Sequence, residues 1–80
     1  MYIESIKNEL LLDKYEIIEL KVRGKEDVLQ NFFSDIQERF DLAHDEWNKS
    51  LGMLTMTFDK KPKEQTLNMI KSFTKDYIGL

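Results

Sequence analysis

Residues 41–47 read DLAHDEW and hold the only histidine and the only tryptophan of the chain, with Asp41, Asp45 and Glu46 beside them. An imidazole next to carboxylates is the raw material of a metal site or of proton transfer. A transition-metal site needs about three convergent protein ligands and usually recruits more than one imidazole or thiolate. With one histidine and no cysteine, the sequence predicts no metal site and no bound cofactor. Proton-transfer catalysis needs an enclosed pocket and donors for the charge that develops. Gly24, Gly52 and Gly79 stand alone, so no glycine-rich phosphate cradle exists. No serine lies in a nucleophile-elbow context. The chain is expected not to be an enzyme.

Trp47 is the member of this segment best suited to a contact. Tryptophan is enriched at binding hot spots, and Asp45, Glu46, Asn48 and Lys49 would supply the polar rim of an interface. Asp35, Glu38, Asp41 and Asp45 recur every three or four residues, so an uninterrupted helix would align them on one acidic ridge. Arg39 interrupts that ridge, and the competing reading is a solvated helix face. Trp47, Asp35, Glu38, Asp41 and Asp45 form the predicted partner-binding set. A second charged set comprises Lys60, Lys61 and Lys63 around Pro62, continued by Lys71 and Lys75. Ammonium groups beside a helix start could hold phosphates. The isoelectric point near 5.1 weighs against that use, because nucleic-acid binders are usually basic overall.

The elements that position these residues follow from hydrophobic spacing. In YIESIKNELLLDK, Ile3, Ile6, Leu10 and Leu11 fall at helical intervals, which predicts an N-terminal amphipathic helix over residues 1–14. In YEIIELKVRG, Ile18, Leu20 and Val22 alternate with Glu19, Lys21 and Arg23, the period of a half-buried strand that Gly24 ends. In KEDVLQNFFSDIQERF, Leu29, Phe32, Phe33, Ile36 and Phe40 make one apolar stripe, and Glu26 and Asp27 suit the positive end of a helix dipole. MLTMTFD alternates again, with threonines on its wet side. Leu67, Ile70, Phe73 and Tyr77 predict a final helix from Lys63 to about Ile78, started by Pro62 and stopped by Gly79.

Residues 41–48 admit two readings. As the first arm of a hairpin turning at Lys49–Gly52, they place Leu42, His44 and Glu46 on one face and Asp45 and Trp47 on the other. As a continuation of the preceding helix they align Asp41, His44 and Asp45. The strand is preferred. The resulting fold is a single α+β domain over residues 1–80, in two layers. It consists of the helix over 1–14 and a β-α-β-β-α unit over 15–80. A small three-stranded sheet has its helices on one face, in the order α-β-α-β-β-α. Lys21, Thr55 and Thr57 mark the other face as wet.

The totals set the remaining bounds. Eighty residues make one domain with a thin core, and 41% hydrophobic with 34% charged residues is a folded composition. The longest apolar run, Leu10-Leu11-Leu12, is far short of the roughly 20 residues that span a bilayer. The N-terminal stretch has acidic residues where a secretory signal would be basic. A soluble cytoplasmic protein without membrane attachment is expected. Residues 26–46 carry seven carboxylates against Arg39, while 60–75 carry five lysines against Glu64. Such polarity can steer a partner. Ten lysines against two arginines is a usage common in AT-rich genomes, which suits a phage or plasmid setting. The strand-helix-strand-strand-helix order after the first helix is similar to that of several small regulatory proteins, among them bacterial inhibitors of recombinase filaments. The likeness is in order alone. The leading expectation is a small non-enzymatic interaction protein that binds and modulates a protein partner. The alternative is a nucleic-acid-binding accessory module using Lys60, Lys61, Lys63 and Lys71. A third is self-assembly through a sheet edge.

Overall fold

Two alternating segments form the floor of the molecule. In β2 (Tyr15–Arg23) the residues Ile18, Leu20 and Val22 have no solvent exposure, and in β4 (Met53–Asp59) neither do Leu54, Met56 and Phe58. The strands are antiparallel, with Ile18 opposite Phe58, Leu20 opposite Met56 and Val22 opposite Leu54. Onto this apolar face pack Leu29, Phe32 and Ile36 of α1 (Glu26–Gln37) and Ile70 of α2 (Lys63–Ile78). Burying each such side chain is worth about 1.5–3 kcal/mol. Phe32 joins the two helices: its ring centroid lies 6.0 Å from Phe73 and 5.1 Å from Tyr77. Thr74, the buried polar residue among these, donates its hydroxyl to the Ile70 carbonyl at 2.8 Å, so no polar group is stranded there.

The chain is described by a computed structural model over residues 1–12, 15–59 and 63–79, with the side chains of Leu11 and Lys63 outside that description. Two further strands complete the sheet, β1 (Tyr2–Leu11) and β3 (Leu42–Asn48), in the spatial order β1-β2-β4-β3 with every neighbour antiparallel. The element order is β-β-α-β-β-α. This corrects the expected three-stranded sheet in the order α-β-α-β-β-α, and the helix expected over residues 1–14 is strand β1. The cause is a bulge. Ile3 is opposite Val22 and Ser5 opposite Lys21, so Glu4 is an extra residue in β1. An inserted residue reverses the alternation of faces beyond it. Ile3 and Ile6, three apart in sequence, therefore share the helix-covered face, opposite Val22 and Leu20. A bulged strand has imitated helical spacing.

α1 ends at Gln37 because the next residues turn back. The N–H groups of Arg39 and Phe40 both donate to the Ile36 carbonyl at 3.1 Å. Phe40 swings onto the core, edge-on to Phe58 at 6.2 Å and to Phe73 at 6.0 Å. β3 and β4 are joined through Lys49–Gly52. There the Gly52 N–H donates to the Lys49 carbonyl at 3.2 Å, and the Leu51 N–H donates to the Asn48 side chain at 3.2 Å. Gly52 has φ +59, a conformation that costs a side chain steric strain. Gly79 follows α2, its N–H donating to the Lys75 carbonyl at 3.0 Å.

Candidate functional site

β3 is an edge strand, paired to β4 alone, and a second bulge decides what it presents. Leu42 is opposite Phe58 and His44 opposite Thr57, leaving Ala43 as the extra residue. Leu42 thereby joins Asp45 and Trp47 on the helix-covered face, while His44 and Glu46 lie on the open face opposite Thr57 and Thr55. This corrects the expected grouping of Leu42 with His44 and Glu46. The pairing of Asp45 and Trp47 on one face stands.

Trp47, half-buried, is held from two sides. Its ring meets Phe33 edge-on, centroids 5.5 Å apart at 66°, and its indole N–H donates to Asp45 Oδ2 at 3.0 Å. An aromatic edge contact of this kind adds about 0.5–1.5 kcal/mol beyond area burial. Asp45 is thus engaged by Trp47 rather than aligned with other carboxylates. Asp35 is exposed on α1, and Glu38 and Asp41 are exposed in the turn that follows it. The end of α1 at Gln37 breaks the continuous ridge that a longer helix would have made.

Beside Trp47 opens a cleft of about 190 Å³, lined by Leu29, Trp47 and Met53 with Gly24 and Gly52 at one end. The Gly24 N–H donates to the Gly52 carbonyl at 3.0 Å and ties the end of β2 to the β3–β4 turn. Glu26 and Lys49 face each other across the rim at 3.7 Å. The cleft is smaller than the roughly 300–1,000 Å³ of small-molecule sites. It suits one inserted side chain. His44 does not line it, and among the described residues no three His, Asp or Glu groups come together in a way that could hold a metal ion.

Of the lysines, Lys60 and Lys61 lie outside the described residues, and Lys63 begins α2. Lys71 is half-buried and Lys75 exposed on that helix. A groove along the other flank of α2 is lined by Arg39, Phe40, Met69 and Phe73, with the Arg39 guanidinium 5.2 Å from the Phe73 ring centroid.

Sequence reasoning missed a charged network on the open face of the sheet. Lys7 Nζ lies 2.8 Å from Glu9 and 3.6 Å from Glu19, Lys21 Nζ lies 3.9 Å from Glu19, and Arg23 Nε lies 3.0 Å from Glu4. The hydrogen bond and charge of Glu9, aided by Glu19, hold the Lys7 ammonium above its usual pKa range. On the helix layer, burial and then the nearby Asp35 carboxylate push the Tyr77 phenol up. These neighbours emerge once residues 2–11 are strand, since the cross-strand pairs follow from the register with β2.

Among the described residues no helix is long and apolar enough to cross a membrane. No known protein family, curated protein or solved structure matches the chain.

Proposed function

We propose that the chain is a small non-enzymatic protein that binds and modulates a protein partner, taking a basic, extended segment of it along β3. The observation that carries this reading is Trp47, a large ring fixed by Phe33 and Asp45 at the mouth of a one-side-chain cleft. A ring held before binding loses little entropy on contact. The backbone of β3 offers unpaired donors and acceptors along its outer side, as edge strands do when they recruit an extended peptide. Glu46 on the strand and Asp41 just before it are exposed and favour a cationic partner through steering.

Site-specific photo-crosslinking in the host cell tests the reading. A photoreactive residue at position 44, on β3, should trap one discrete protein, and Trp47→Ala should abolish the adduct in chain still folded by circular dichroism. The same probe at position 75, on α2, should not trap it. Identical adducts from both positions, or none from position 44, would remove β3 as the binding edge.

A further inference from the structure

The opposite edge carries a different pattern. β1 pairs with β2 alone, so its outer side is open. Its bulge at Glu4 and the left-handed turn residue Leu12, φ 53, bound an unbroken run from Ser5 to Leu11. That run is centred on Asn8. Leu10 is 55% exposed on it although it lies on the helix-covered side, opposite Glu16.

We infer that β1 is a self-association edge: two copies pair β1 with β1, antiparallel, about a two-fold axis at Asn8, and extend the sheet to eight strands. An isologous contact requires residues equidistant from the axis to suit one another. On the helix-covered side, Ile6 meets the partner's Leu10 and Leu10 meets the partner's Ile6, which shields the exposed leucine. On the open side, Lys7 meets the partner's Glu9 and Glu9 meets the partner's Lys7. With the existing Lys7–Glu9 pair at 2.8 Å, the four groups alternate in sign around the axis. At the axis Asn8 faces its own copy, and a carboxamide both donates and accepts.

Charge also selects this register. Moving the axis by one residue sets Lys7 against Lys7 or Glu9 against Glu9, and like charges directly opposite are destabilising. The Glu4 bulge ends pairing at Ser5. β3 does not offer the same fit, since its run carries Asp45 and Glu46 with no lysine before Lys49. Association of this kind closes at two copies instead of running on into a filament.

Sedimentation velocity on the full chain over a range of concentrations reads the outcome. The wild-type mass should rise from 9.6 kDa toward twice that value. Lys7→Glu and Glu9→Lys should each raise the dissociation constant about tenfold through two symmetry-related repulsions. The double exchange should restore most of the affinity. A second measurement does not depend on affinity. Opposed residues of an antiparallel pair have Cα atoms roughly 4.5–5.5 Å apart, within disulfide reach, and the chain has no cysteine. Asn8→Cys should therefore oxidise to a covalent dimer much faster than Glu46→Cys on β3. A mass fixed at 9.6 kDa together with equal oxidation of the two cysteine variants would overturn the inference. So would a dimer insensitive to both charge reversals.

Discussion

Strands β1 and β3 each leave one side of the backbone without a strand neighbour, and each carries a bulge near its start, at Glu4 and at Ala43. A bulge commonly spoils an edge for pairing. What differs is what remains beyond it. β1 keeps seven regular residues whose charges, Lys7 and Glu9, cancel about the midpoint Asn8. β3 keeps five, from His44 to Asn48, with carboxylates and a fixed tryptophan but no lysine. The first pattern is self-complementary and the second calls for something unlike itself. Two edges of one sheet can thus be assigned different occupants by the order of their charges and by one fixed aromatic ring, although each begins with a bulge.

Both edges rest on one core, and the largest expected effect removes them together. Phe32→Ala deletes a ring with no solvent exposure that touches Phe73 and Tyr77. It should cost about 3–5 kcal/mol, a large share of the roughly 5–15 kcal/mol that holds a domain. Urea unfolding followed by circular dichroism measures this. A cost under about 1 kcal/mol would mean the helices are not pinned through Phe32.

The next test separates the edges. Trp47→Ala should destabilise the folded chain by about 1–3 kcal/mol, less than a fully buried ring because Trp47 is half-buried. Leu10→Asn on β1 should change it by less than about 0.5 kcal/mol at a concentration where the chain is monomeric, since the side chain is already 55% exposed. Equal costs would erase the contrast, because both apolar residues would then be structural. Within β3 a finer difference is expected. Asp45→Ala should lose about 0.5–1.5 kcal/mol and shift Trp47 fluorescence, since it removes the indole acceptor. Glu46→Ala, one residue on and exposed, should do neither. An unchanged emission spectrum in Asp45→Ala would show that Asp45 does not orient the ring.

Much of this architecture can be read in the sequence wherever alternation is unbroken. β4 alternates strictly, β2 does so from Ile18 onward, and the stripes of α1 and α2 are continuous, so each appears within a few residues of its predicted span. At the edges reading fails for one physical reason, in β1 over the type of element and in β3, a strand as expected, over the face of Leu42. A bulge inserts a residue without any residue type that announces it, so apolar positions in β1 fall three and four apart and imitate a helix. The same insertion moved Leu42 across the sheet from His44. Phe40 misled in another way. It keeps the helical interval from Ile36, yet reaches the core through a tight turn, so the acidic residues after it never share a helix face. Trp47 was visible as a lone aromatic in a polar stretch. Its partner Phe33 was not, because which phenylalanine of α1 meets β3 depends on how the helix is rotated over the sheet.

The smallest effect tests the margin at β1 as Trp47 tests that at β3. Tyr77 lines a shallow groove there with Met1 and Val28, and its phenol is pushed above the ordinary range chiefly by burial and then by Asp35. A raised value in the folded chain means the unfolded chain gives up this proton first. Stability is then unaffected below the unfolded tyrosine value near 10. It falls as pH climbs from there through the folded value, because only the unfolded state gains from ionising. Unfolding free energies measured at pH 8, 10 and 11 should decline, and Tyr77→Phe should decline less steeply. What slope remains in that variant belongs to groups such as Lys7, whose ammonium Glu9 favours in the fold and which loses its charge over the same range. Parallel slopes in the two proteins would show that Tyr77 ionises as freely in the fold as out of it. Tyr77 would then not be shielded from solvent beside β1, and of the two edges β3 alone would hold a half-buried aromatic ring against a helix.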